Sequence, residues 1–311
     1  MSGLPSIPFG RTGLVVSRLA FGGASLAGAT DADADRLVAT ALEEGVTLFD
    51  AAQCYGRAEE HLGRALAGCR SEVTLVTKCG HHEVLADGSW RSLDIGAADI
   101  DAALRRLRTD HIDAMLLHSY DPDPSRLERA FDVLRAARTA GKVCSIGYSG
   151  DNEGAKLAFS TPDLDVLELS LSVADQANVL ALLPIAEARG IAVMTKRSLA
   201  NAAWRHLGRP EDTWRDAHDA PYVRRLRAMG CSAAIAPDGL GWDESALRFV
   251  FQSAGVHAAI IGASDPDKLR RNAENARRLA GLPVDADAYA AWRRRFSEAE
   301  ARVGETWRAL N

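Results

Sequence analysis

The chain has 311 residues, 47% hydrophobic and 25% charged, a globular composition long enough for an α/β barrel with insertions. A net charge of −5, with no basic block standing clear of acids, argues against nucleic acid or a membrane surface as a partner. Five cysteines, an odd number without a C-x-x-C pair, read as reduced thiols of a cytoplasmic protein, and no stretch has the pattern of a signal peptide or a membrane span.

The segment from Phe9 to Ser17 reads as a hairpin turning at Thr12-Gly13, suited to plugging the bottom of a barrel. A first barrel strand is expected at 18–23. Thr30 then caps a helix with Leu37, Ala41 and Leu42 on one face. Further strands are expected at 46–51, 73–78, 112–118, 143–149, 165–171, 191–196 and 258–262. Helices are expected at 58–67, 95–107, 125–140, 153–159, 174–189, 243–253 and 266–279. Residues 81–91 read as a polar loop, 198–241 as a Trp- and Arg-rich excursion, and 286–309 as a polar helical tail.

This alternation predicts an α/β fold: one (β/α)8 TIM barrel over residues 1–311, with an N-terminal β-hairpin and a C-terminal helical tail. An open doubly wound sheet would carry G-x-G-x-x-G after its first strand. Phe21-Gly-Gly-Ala-Ser-Leu-Ala-Gly28 has a different spacing.

Three of these strands end on an ionisable residue: Asp50, Lys78 and His118. Each shares the strand parity of an apolar residue two positions earlier, Leu48, Val76 and Leu116. If that parity faces inward, all three meet at the C-terminal mouth, where this fold places its active sites. Tyr55 follows Asp50 in a loop above the same mouth. Taken singly, each residue has an ordinary structural reading: half of an ion pair, a satisfied imidazole, a loop tyrosine. Taken together they suit carbonyl reduction. Hydride arriving at a carbonyl carbon builds an alkoxide that needs a proton. Tyr55 supplies it, Lys78 draws the phenol's pKa down, Asp50 holds the lysine, and His118 hydrogen-bonds the carbonyl oxygen. A Schiff-base aldolase built on Lys78 is the rival chemistry, and Asp50 keeping the lysine charged argues against it.

The stretch Phe49-Asp-Ala-Ala-Gln-Cys-Tyr-Gly-Arg-Ala-Glu-Glu-His-Leu-Gly-Arg-Ala-Leu66 resembles the signature of the aldo-keto reductases. So do Gly141-Lys-Val-Cys-Ser-Ile-Gly-Tyr-Ser149 and Ile260-Ile-Gly-Ala-Ser-Asp-Pro-Asp-Lys-Leu-Arg-Arg-Asn272, and the hairpin at 10–17 is similar to the family's N-terminus. The resemblance covers nearly the whole chain, in order. It implies a TIM barrel, a nicotinamide cofactor (NADPH/NADP+, or NADH/NAD+), a small-molecule carbonyl or alcohol substrate, and the tetrad Asp50, Tyr55, Lys78 and His118. It also implies that Asn272 contacts adenine. Independently, Gly262 and Ser264 leave the eighth strand for a helix, the place where barrels bind phosphate, and Lys268 one turn on is positioned for the 2′-phosphate of NADPH.

Three positions depart from the family. Ser149-Gly150, with Asn152 nearby, replaces the Ser-Asn that holds the nicotinamide amide. Glu168 replaces a glutamine. Lys196 stands where an aromatic residue often stacks on the nicotinamide. Glu168 and Lys196 share an interior parity on adjacent strands, so two readings stand: a salt bridge between them beside the nicotinamide, or a glutamate that only accepts a bond from the amide NH₂. Cys54 and His81 are expected to line the substrate pocket, and Trp90 and Trp204 to rim it, each either as an apolar wall or as packing for its loop. Cys54, Cys79, His81 and His82 lack any metal-ligand spacing, so no metal is expected. The reading is an NADPH-dependent carbonyl reductase. The alternatives are an NAD(P)+-linked alcohol or sugar dehydrogenase and a redox-sensing barrel that holds cofactor with little turnover.

Overall fold

The structure, a computed structural model, describes residues 3–84, 90–92, 94–120, 123–210, 219–280 and 282–310. Strands β1 (Ser6–Pro8) and β2 (Val15–Ser17) form the antiparallel hairpin, with Ser6 opposite Ser17. Then come β3 (Leu19–Gly22), β4 (Leu48–Asp50) and β5 (Thr74–Cys79). A two-stranded ribbon follows, β6 (His82–Val84) and β7 (Trp90–Ser92). The remaining strands are β8 (Ile112–His118), β9 (Val143–Ser149), β10 (Val166–Ser170), β11 (Ala192–Lys196) and β12 (Ala258–Ile261). The eight strands β3, β4, β5, β8, β9, β10, β11 and β12 close in that order into a parallel barrel, with β12 pairing back onto β3. Helices fill the crossovers, as right-handed βαβ connections require.

Strand alternation divides the apolar residues into two cores. Leu48, Val76, Ala114, Leu116, Val166, Ala192, Met194 and Ala258 pack inside the barrel. Phe21, Phe49, Leu75, Met115, Leu117, Leu167 and Leu169 pack outward in the core that includes helix residues such as Leu62 and Leu134. The hairpin closes the bottom, because Phe9 and Val16 join the interior cluster. Gly10 makes this docking feasible. It adopts φ +54, and a Cβ there would lie 2.5 Å from the Ala192 nitrogen and 2.7 Å from the Gly190 carbonyl.

Three elements differ from expectation. Residues 82–84 and 90–92 pair as a ribbon where a loop was expected, because the pairing of an isolated ribbon is made by backbone groups and leaves little hydrophobic alternation to read. The helix at 174–189 is broken into Ala177–Ala181 and Leu183–Ala188. Pro184 lies in the first turn of the second piece and has no N–H to carry the first helix onward. The tail helix runs Ala286–Val303 and stops at Gly304, left-handed at φ 75, after which the chain returns across the barrel mouth without helical structure. Among the described residues, no helix is long and apolar enough to cross a membrane.

Candidate active site

The inward parity of Leu48, Val76 and Leu116 carries Asp50, Lys78 and His118 to the C-terminal mouth. A cavity of about 1450 Å³ opens there, and Asp50, Tyr55, His118 and Glu168 line it. Lys78 is buried at its floor. Its ammonium donates to Asp50 Oδ1 and, at 3.0 Å, to the Ala51 carbonyl. Glu168 Oε2 lies 3.0 Å away from the same nitrogen, so the lysine has two carboxylate neighbours. Burial works against the charged lysine, but Asp50 and Glu168 outweigh it and hold the ammonium above the ordinary lysine range. Asp50 is pushed well above the carboxylate range, by burial first and by the neighbouring Glu168 second, against the pull of Lys78.

Tyr55 lies with its ring centroid 5.2 Å from Lys78 Nζ and 5.9 Å from the His118 ring, nearly perpendicular to it. The lysine is the largest influence on the phenol and draws its pKa down. Burial together with Asp50, Glu168 and Cys54 pushes it up by more. The net direction is upward, so the expected lowering is reversed by desolvation first, then by Asp50 and Glu168. Tyr55 is a well-protonated phenol beside a fixed cation.

The expected Glu168–Lys196 bridge does not form. Register explains why: Glu168 pairs with Met194, and Lys196 pairs with Ser170, two residues nearer the mouth. That offset is roughly 6–7 Å along the strand. Glu168 therefore reaches across to Lys78, while Lys196 pairs at 3.1 Å with buried Asp151. Asn152 is also committed elsewhere. Its amide donates to the Ala309 carbonyl at 2.9 Å and accepts from the Ala309 nitrogen at 3.2 Å. Trp204 is not a pocket wall. It is buried and stacked on Trp242 at 5.2 Å between ring centroids, an apolar ring satisfied by another ring. His81 lines the cavity, and Cys54 is exposed beside it with Sγ 3.5 Å from His118 Nδ1. The side chain of Trp90 lies outside the described residues.

The cavity fits a dinucleotide at both ends. His118, Ser149 and Glu168 are register partners across β8, β9 and β10. Ser149 is fully buried behind the cavity lining, and its Oγ has no hydrogen-bond partner among the described residues. At the far end Gly262, Ser264, Lys268 and Asn272 line the cavity, and the Asn272 amide oxygen is buried without a partner among the described residues. Orphaned polar atoms at these depths are costly unless a ligand meets them. Sequence reading missed Arg271, which lines the same end three residues from Lys268 on one helix. Helical spacing from Lys268 was the available signal. It also missed Asp151, Arg197, Arg308 and Ala309. The last two come from the returning tail, and no pattern in 304–310 points to the mouth.

A closed parallel barrel with this cluster and a two-ended cavity at its C-terminal mouth defines a nicotinamide-dependent oxidoreductase class. The profile of the Aldo/keto reductase family matches residues 18–292, and the chain belongs to that family as an NAD(P)H-dependent oxidoreductase. It is 26% identical over 300 residues to L-galactose dehydrogenase of Arabidopsis thaliana, covering 89% of this chain and 90% of that one. It is 33% identical over 219 residues to 6-dehydroglucose reductase of Novosphingobium aromaticivorans, covering 60% and 70%. Its fold is similar to the crystal structure of an aldo-keto reductase from Klebsiella pneumoniae in complex with NADPH, with a TM-score of 0.70 and 22% identity over 95% of this chain and 96% of that one.

Proposed function

We propose that the protein reduces an aldehyde or ketone to an alcohol with NADPH, with Tyr55 as proton donor. The observation that carries this reading is the buried Lys78 held by Asp50 beneath Tyr55, with His118 alongside, at the floor of the cavity. When bound, the reduced nicotinamide supplies a hydride to the carbonyl carbon. Ser149 and Glu168 would hold its amide, while Ser264, Lys268, Arg271 and Asn272 would hold the adenosine phosphate end. His118 orients the carbonyl oxygen, and Tyr55 passes its proton to that oxygen as negative charge builds there. Lys78 then stabilises the phenolate, and Asp50 keeps the lysine in place.

A second direction has its own support. The Glu168 carboxylate beside the nicotinamide subsite favours the cationic, oxidised ring, which suits an alcohol or sugar dehydrogenase run with NADP+. Two sugar-directed relatives agree with a polyhydroxylated substrate. The test is a panel of aldehydes, ketones and aldoses with all four nicotinamide cofactors, run on the wild type and Tyr55→Phe. Turnover in Tyr55→Phe within about tenfold of the wild type would sink the reading.

A further inference from the structure

We propose that Cys54, His81 and His118 form a binding site for a thiophilic divalent cation, Zn2+ in kind, and that its occupation switches the enzyme off. Among the described residues these three offer ligand atoms that all lie within 4.8 Å of one another. They come from three places in the chain: the loop after β4, the residues after β5, and the end of β8. No sequence spacing can reveal such a set, because the barrel alone brings the pieces together.

The geometry carries the assignment. In a tetrahedral zinc site, Zn–S is about 2.3 Å and Zn–N about 2.0–2.1 Å, which places sulfur and nitrogen about 3.5 Å apart. Cys54 Sγ and His118 Nδ1 are 3.5 Å apart. The His81 and His118 rings stand perpendicular, at 83° with centroids 4.5 Å apart, so their nitrogens are not held parallel and face to face. Two zinc-bound nitrogens would be about 3.3 Å apart, so closing the site from the 4.8 Å limit requires an approach of at most about 1.5 Å between ligand atoms. One thiol and two imidazoles are the donor set of a borderline-soft cation rather than of Mg2+ or Ca2+. Three protein ligands leave the fourth position open to the cavity for water.

Binding moves no electrons. The Cys54 S–H bond breaks, the sulfur lone pair bonds the metal, and the proton leaves to solvent. The blocking effect follows from place. His81 and His118 both line the cavity, so an ion held between them puts a cation and its bound water where the carbonyl oxygen has to sit beside His118, and a filled site excludes productive substrate. This inhibitory part rests on the proposed function. The binding part does not.

The test uses the full chain without cofactor and Zn2+ alone as the probe, followed by calorimetry, with Co2+ as a spectroscopic substitute. The expected result is one ion per chain and a thiolate-to-cobalt charge-transfer band in the near ultraviolet. Cys54→Ala should abolish that band, and His81→Ala should weaken binding by tenfold or more, on the order of the change seen when a metal site loses support. Far-ultraviolet circular dichroism checks that both variants fold. Failure of wild type to bind, or a band retained in Cys54→Ala, overturns the site. In the activity arm each protein is its own control, assayed with and without Zn2+. Wild type should be inhibited and recover on chelation, while the ratio for Cys54→Ala stays near one. Stoichiometric binding without inhibition would overturn the switch and the role given to His118, while leaving the metal site intact.

Discussion

Lys78 lies between Asp50 and Glu168, and burial together with these two carboxylates changes what Tyr55 can do. The phenol is held above its ordinary value, so it is fully protonated through the neutral range. Reduction draws on the protonated form. Its kcat/KM should therefore stay level past about pH 10, the ordinary tyrosine value, while oxidation, which needs the phenolate, should climb with pH. A pH profile of both directions checks the sign, and a falling reductive limb near pH 7 would contradict it. Tyr55→Phe should lower kcat by roughly 10²–10⁴-fold while leaving NADPH binding, read by fluorescence quenching, unchanged. Glu168→Gln removes a negative charge beside the nicotinamide subsite. Its effect should be asymmetric, weakening NADP+ by on the order of tenfold and NADPH much less. Equal losses for the two, measured by titration, would mean that the carboxylate acts only as a hydrogen-bond acceptor for the amide.

The helix Pro266–Ala280 starts at the cavity, with Asp265 accepting from the Lys268 nitrogen at 2.9 Å. Lys268 Nζ meanwhile contacts Asp265 at 2.9 Å and Ser264 at 3.1 Å, and Arg271 projects from the next turn. Lys268→Ala and Arg271→Ala should each raise the KM for NADPH by roughly tenfold and leave that for NADH nearly unchanged, since both cations are assigned to the extra phosphate. Steady-state kinetics with the two cofactors decides this. On β9, Gly147 is the close point of the barrel: a Cβ there would collide with the Val166 carbonyl and with Leu116 Cδ2. Gly147→Ala should lower the melting temperature and disturb β8, β9 and β10 together, with a cost of roughly 1–3 kcal/mol from overpacking. Strands were legible because inward and outward residues alternate, and that is why the parity of Asp50, Lys78 and His118 could be read. Their partners were not legible. Parity says which face a residue takes, whereas the Glu168–Lys78 contact depends on register and on reach across the barrel.

The returning tail makes the mouth a product of both ends of the fold. Ala309 is gripped by Asn152, the Leu310 carbonyl accepts from Arg197 at 2.6 Å and from Ser170 at 3.1 Å, and the Leu310 nitrogen donates to Asp175 at 3.0 Å. Deleting residues 305–311 should raise KM for substrate and cofactor several-fold while the barrel keeps its secondary structure. Kinetics and circular dichroism on one preparation check the two halves of that expectation. Hydrophobic alternation, turn residues and a chain of family motifs were enough for the eight-stranded barrel and for three ionisable strand ends. These are local properties, set by the two-residue period of a strand and by the conformational limits of single residues. Which cation meets which anion, where Asn152 spends its amide, how Trp204 is buried and which thiol stands beside which imidazole all followed from folding. Those contacts join residues far apart in the chain, and their distances are fixed by barrel closure and strand register rather than by any spacing along the backbone.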